Sequence, residues 1–181
     1  MRYFSQVYHT GYLYKALAVE YSGVKWLAMG LCSLSMSVLP KFTGQFVHSI
    51  DEKGRLTIPA RIRAKLGDHF VMTIAPPDPC LALYPETTWA DFCDKLEAAA
   101  TKDQRYRTFV RHLFANTDEV SLDAQGRLVV PPALRAYAGI DRDAVLVGTL
   151  TRVEVWSAAR WSKSNAAPDR LPELMTELGL Y

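Results

Sequence analysis

The sequence predicts an α+β fold built from two tandem copies of one β-turn-β-helix-β-turn-β unit, with helices between and after the copies. Two observations predict it. The first is an internal repeat at an offset of 72 residues: Asp51-Glu52-Lys53-Gly54-Arg55-Leu56-Thr57-Ile58-Pro59 returns as Asp123-Ala124-Gln125-Gly126-Arg127-Leu128-Val129-Val130-Pro131. The same offset pairs Arg63 with Arg135, Ala64 with Ala136, Gly67 with Gly139, Leu81–Tyr84 with Val153–Trp156, and Trp89 with Trp161. The second is patterning inside each copy, where period-two stretches are punctuated by Asp, Gly and Pro.

In the first copy, Phe46, His48 and Ile50 share one face of a short strand. Asp51 to Gly54 has turn chemistry, because Asp bonds downstream amides and Gly accepts positive φ. Leu56-Thr57-Ile58 resumes a strand, and Pro59 suits the first turn of a helix, where its missing N–H is harmless. That helix spans Ala60 to Leu66, with Gly67 placed to end it in a left-handed cap. Two apolar strands follow, Phe70–Ile74 and Cys80–Tyr84, around the turn Pro76-Pro77-Asp78-Pro79. Helical sequence then begins at Thr87 or Thr88 as cap, with Trp89, Phe92, Cys93 and Leu96 as one stripe and Tyr106, Phe109, Val110 and Leu113 as another. A last stripe reads Leu171, Leu174, Met175, Leu178. Core or subunit contact is the simplest role for all three stripes. The expected divisions are 45–88 and 117–160 for the two copies, 89–116 for a helical linker, and 161–181 for a C-terminal helical segment.

Residues 1–40 are expected to be an N-terminal extension outside this fold. From Trp26 to Leu39 no residue is charged, yet the run is well short of the roughly 20 residues a membrane helix needs. No membrane partner is therefore expected. A secretion signal, a poorly ordered appendage, and a translation start placed too early all remain open. The last is favoured because every recognisable feature follows Pro40, with Met29 and Met36 as candidate starts.

Apolar residues make up 49% of the chain and charged ones 22%, which calls for a packed core rather than disorder. A net charge of +2 makes no global case for nucleic acid, so that case rests on where the basic residues lie. Cys32, Cys80 and Cys93 are scattered, which suits a reducing cytoplasm better than a disulfide framework or a zinc site. His9, His48, His69 and His112 lack metal-ligand spacing, and no nucleophile elbow, phosphate loop or dinucleotide fingerprint occurs. Neither an enzyme nor a cofactor or metal site is expected.

The doubled segment Asp-x-x-Gly-Arg-Leu-x-Ile/Val-Pro, followed by a short Arg-bearing helix, resembles the AbrB-like family of swapped-hairpin DNA-binding domains. Two copies joined by helices, with the Asp-x-x-x-Arg pattern at Asp51/Arg55 and Asp123/Arg127, are similar to the MraZ type in particular. The resemblance runs from about Phe42 to the C-terminus. It implies a pseudo-twofold, double-psi-like β-barrel, a ring-like homo-oligomer, and binding to short tandem repeats in the promoter of a division and cell-wall gene cluster. A cytoplasmic, nucleoid-associated repressor follows from it. The other reading is a protein-interaction module on the same fold, an antitoxin-like partner or an oligomeric scaffold.

Given that resemblance, Lys53, Arg55, Arg61, Arg63 and Lys65 are the candidate DNA-binding residues, and Asp51, Gly54, Asp123, Gly126 and Arg127 the turn-organising ones. Lys53 and Arg55 lie on or beside a turn tip that can enter a groove, and arginine reads guanine through O6 and N7. Arg61 and Lys65, four apart on one helix face, suit phosphate contacts. Without the resemblance, Lys53, Arg61 and Arg63 read as an ordinary solvated face, and Arg55 can equally pair with Asp51. The second copy has Ala133 and Tyr137 where the first has Arg61 and Lys65, so segment 51–65 is expected to face DNA.

Overall fold

The computed structural model describes residues 4–9, 12–21, 24–28, 41–164 and 171–180. It comprises two units, 1–38 and 39–181. In the first unit, β1 (Phe4–His9), β2 (Tyr12–Tyr21) and β3 (Val24–Ala28) form an antiparallel meander. Sequence patterning assigned no element here, although the aromatic and branched residues of β2 suit a strand. The uncharged run starting at Trp26 enters β3, and its remainder, with Met29, Cys32 and Met36, lies outside the described residues.

The second unit contains β4 (Gln45–Ser49), β5 (Arg55–Thr57), α1 (Ala60–Leu66), β6 (His69–Ile74), β7 (Leu81–Pro85), α2 (Glu86–Ala100) and α3 (Gln104–Phe114). It continues with β8 (Thr117–Ser121), β9 (Arg127–Val129), α4 (Pro132–Ala138), β10 (Asp143–Thr149), β11 (Arg152–Ser157), α5 (Ala158–Ser164) and α6 (Leu171–Glu177). The 72-residue offset carries β4 onto β8, β5 onto β9 and α1 onto α4 residue for residue.

Pairing, however, crosses between the copies. The order β4-β10-β11-β7-β6-β8 sets β4 of the first copy against the second copy's hairpin, and β8 of the second against the first's. The hairpins meet where β7 and β11 pair, at Leu83↔Val153 and Leu81↔Val155. β5 and β9 pair with each other as a separate two-stranded ribbon. Among the described residues no ladder joins β4 directly to β8; the bridge between Ile50 and Leu56 links the end of β4 to β5, which pairs with β9. The Asp turns lead the chain out of β4 and β8 into the two ribbon strands, which pair with each other.

Both faces of the central strands are covered, which is why they read as continuous apolar runs. One face packs Phe70, Met72, Leu83, Leu146 and Val155 against Leu56, Leu128 and the short helices' Ile62 and Leu134. The other packs Cys80, Ala82, Tyr84, Val145 and Trp156 against Trp89 and Trp161 of α2 and α5. Burial among apolar neighbours pushes the Cys80 thiol up to about 12, leaving it inert.

Two local expectations need correction. α2 takes neither Thr87 nor Thr88 as its cap; Pro85 holds that position, and the Thr88 hydroxyl donates back to the Pro85 carbonyl. Gly67 has φ 87° with ψ −178°, a conformation open to glycine but not the left-handed cap, which Gly139 does adopt (φ 63°, ψ 36°). Of the helical stripes, α3 buries Leu113 while Tyr106 and Phe109 stay exposed, and the α6 stripe is exposed in the single chain.

Candidate nucleic-acid interface

Each copy builds the same turn from one carboxylate. Asp51 Oδ1 accepts the backbone N–H groups of Lys53 (2.9 Å) and Arg55 (3.0 Å), while Oδ2 accepts Arg55 Nε at 2.7 Å. Asp123 repeats this with Gln125 N (2.9 Å), Arg127 N (2.9 Å) and Arg127 Nε (2.8 Å). Gly54 and Gly126 complete the turns at φ 76° and 74° and donate to the carbonyls of Asp51 and Asp123. The Arg55 amide, followed by its guanidinium, holds the Asp51 carboxyl below the usual carboxylate range. For Asp123 the Arg127 side chain leads and its amide follows, with the same direction.

The two turns cap opposite ends of the β5–β9 ribbon. Its register sets Arg55 opposite Val129, Leu56 opposite Leu128 and Thr57 opposite Arg127. Cross-bonds clamp both ends: Val130 N donates to Gly54 O at 2.8 Å, and Ile58 N to Gly126 O at 3.0 Å. Leu56 and Leu128 point into the core, each 1% exposed. Strand alternation then turns Arg55, Thr57, Arg127 and Val129 outward together. With about 3.4 Å of rise per residue, the two arginines stand about two residues apart along the ribbon, on opposite strands.

The two arginines are not held alike. Asp51 takes only Nε of Arg55, and among the described residues no hydrogen bond occupies its terminal amino groups. Arg127 Nη2 is engaged by Asp123 and also by Gln125 Oε1. The residue matching Gln125 in the first copy is Lys53, which is exposed and has no acceptor to offer.

Strand exchange also moves each short helix to the other copy's turn. Arg63 of α1 lies against Gly126, where an added Cβ would stand 2.5 Å from Arg63 Cζ. Arg135 of α4 lies beside Gly54, with Nη1 3.4 Å from the same construction. One cleft is accordingly lined by Asp51, Glu52, Arg135, Asp141 and Arg142, and the other by Ala60, Arg63, Asp123 and Ala124. The residues of segment 51–65 thus border two different clefts. Arg135 and Arg142 share a cleft with the first copy's Asp51 and Glu52, while Arg63 shares one with the second copy's Asp123 and Gly126. No sequence signal marked Arg142, because its placement depends on the exchange.

Within α1 the three cations differ. Lys65 Nζ donates to the Lys41 carbonyl at 2.6 Å. Arg63 is half-buried, and its Nε is enclosed without a hydrogen-bond partner. Arg61 is exposed and, among the described residues, has no hydrogen bond or ion pair. No group of three His, Cys, Asp or Glu among the described residues is arranged to hold a metal.

Comparison with known proteins matches the MraZ family model, described as "MraZ protein, putative antitoxin-like", to residues 42–112 and again to 113–172. A protein of Syntrophomonas wolfei named transcriptional regulator MraZ is 42% identical over 143 residues, covering 77% of this chain and 99% of its own length. Proteins of the same name from Desulforamulus reducens and Desulfitobacterium hafniense are 43% and 46% identical, over 75% and 67% of this chain and 95% and 84% of their own lengths.

Proposed function

The chain belongs to the MraZ family, and from that premise we propose that it is a sequence-specific DNA-binding transcriptional regulator. It binds short tandem promoter repeats as a ring-like homo-oligomer and represses a division and cell-wall gene cluster, working in the cytoplasm at the nucleoid. No helix among the described residues is long and apolar enough to cross a membrane.

The observation that carries this reading is the β5–β9 ribbon, whose outward face holds two arginines oriented by carboxylates. A two-stranded ribbon fits the major groove, which is about 12 Å wide. Asp51 fixes Arg55 through Nε, and among the described residues no hydrogen bond takes up its terminal amino groups, the pair needed for a bidentate contact to guanine O6 and N7. Arg127, tied at Nη2, serves register more than readout. Lys53 and Arg61 at the ribbon's two ends contact phosphates and fix orientation without reading sequence. Each ribbon makes a small footprint, so affinity comes from several ribbons engaging several repeats at once.

Mobility-shift assays on promoter fragments carrying one to four repeats test this. Affinity rises steeply with repeat number and falls when the spacing is changed by half a helical turn. Binding indifferent to number and spacing contradicts the reading.

A further inference from the structure

The outward face of the β5–β9 ribbon carries, besides its two arginines, Thr57 and Val129, which the 72-residue offset makes equivalent positions. Val129 is an apolar side chain left 56% exposed. A single exposed valine is ordinary on a protein surface, and a branched residue suits a strand. What sets this one apart is its neighbour. The register places it directly opposite Arg55, whose terminal amino groups no hydrogen bond takes up among the described residues.

The ladder brings the two close. Val130 N donates to Gly54 O and Ile58 N to Gly126 O, so those residues form the hydrogen-bonded rows of this antiparallel pair. Alternation then makes Arg55 and Val129 a non-hydrogen-bonded pair, the class in which Cα atoms approach to about 4.5 Å and side chains lie closest. That spacing is little more than the rise of about 3.4 Å between successive bases of one DNA strand. The pair is assembled by the antiparallel ribbon, with Arg55 from the first copy and Val129 from the second. At the other end Thr57 faces Arg127, whose Nη2 is engaged by Asp123 and Gln125. A threonine hydroxyl bonds bases of either kind, whereas valine offers only apolar surface.

We infer that Val129 is a specificity-determining residue, which reads the C5-methyl group of a thymine one step from the guanine contacted by Arg55. Thymine presents that methyl in the major groove beside its O4, whereas cytosine presents an amino donor there. Seating the methyl on Val129 removes apolar surface of both partners from water. A cytosine in its place sets an amino group against a side chain that cannot accept a hydrogen bond. The guanidinium and the valine thus discriminate neighbouring positions, one by hydrogen bonds and the other by apolar contact. The inference rests on the DNA reading above and adds one element of what the ribbon recognises.

Replacing every thymine of the promoter fragment by uracil removes the C5-methyl groups and leaves base pairing intact. Fluorescence anisotropy of full-length protein with the thymine and uracil forms, at one fixed salt concentration, therefore isolates this contact. Wild type binds the uracil form at least about fourfold more weakly, the loss expected when one methyl group is no longer buried. Val129→Ala and Val129→Ser bind the thymine form more weakly than wild type and bind the two forms within about twofold of each other, whereas Val129→Ile keeps the wild-type ratio. The ratio compares two DNAs on one protein, so a general weakening of the ribbon lowers both affinities and does not move it. A wild type that prefers the promoter to a scrambled fragment but binds its thymine and uracil forms equally overturns the inference and leaves the DNA reading standing. So does a Val129→Ala variant that distinguishes the two forms as well as wild type. A wild type with no preference for the promoter over the scrambled fragment refutes the DNA reading itself, and the inference with it.

Discussion

At Asp51 and Asp123 a single carboxylate does three jobs: it bonds two amides of its own turn and fixes the following arginine. That much was legible, because Asp, Gly and Arg recur at fixed spacing and each has a local reason to be there. The unequal engagement of Arg55 and Arg127 was not, since it turns on whether residue 53 or 125 can accept a hydrogen bond. Both carboxyls titrate lower when folded than when unfolded. Their stabilisation is therefore complete above the ordinary carboxylate pKa and is lost as pH falls through the lowered folded values. Thermal melts from about pH 7 to about pH 3 should fall less steeply in Asp51→Asn/Asp123→Asn than in wild type. The two turn glycines should also separate. Alanine at either requires positive φ, a strain of about 1–3 kcal/mol. At 126 its Cβ also overlaps Arg63, whereas at 54 the nearest atoms lie at 3.4 Å. In urea denaturation Gly126→Ala is the more damaging, and adding Arg63→Ala recovers part of the loss.

The elements themselves were readable, because period-two runs, prolines and glycines act over a few residues; α1 starts and ends where its Pro and Gly place it. Their partners were not. Nothing in β4 says that it pairs with β10 rather than with its own copy's hairpin, since that choice is made by long-range packing. The same exchange sets Arg63 of the first copy beside the second copy's turn, and Arg135 of the second beside the first's. The ribbon's hold on the core is testable at Leu56 and Leu128, which face each other and are each 1% exposed. Either Leu→Ala change should cost about 2–5 kcal/mol in urea unfolding. Because the two side chains are in register, the double variant should depart from additivity by about 0.5 kcal/mol or more.

For the whole molecule, two copies of a unit too small to close its own core exchange strands, and the exchange brings the two Asp turns to the ends of one exposed ribbon. The ribbon's arginines are then displayed by a scaffold whose core lies directly beneath them. Repetition between chains extends the same logic, with weak single contacts added across an assembly. The central claim is that Arg55 on this ribbon reads DNA sequence. Fluorescence anisotropy at one fixed salt concentration, comparing a tandem-repeat promoter fragment with a scrambled one, tests it most directly. The account predicts that wild type prefers the promoter by about a thousandfold or more. Arg55→Ala should lose about 1–3 kcal/mol of promoter affinity while changing scrambled binding little. Equal affinity of wild type for the two fragments, or an Arg55→Ala variant that discriminates as well as wild type, would contradict it.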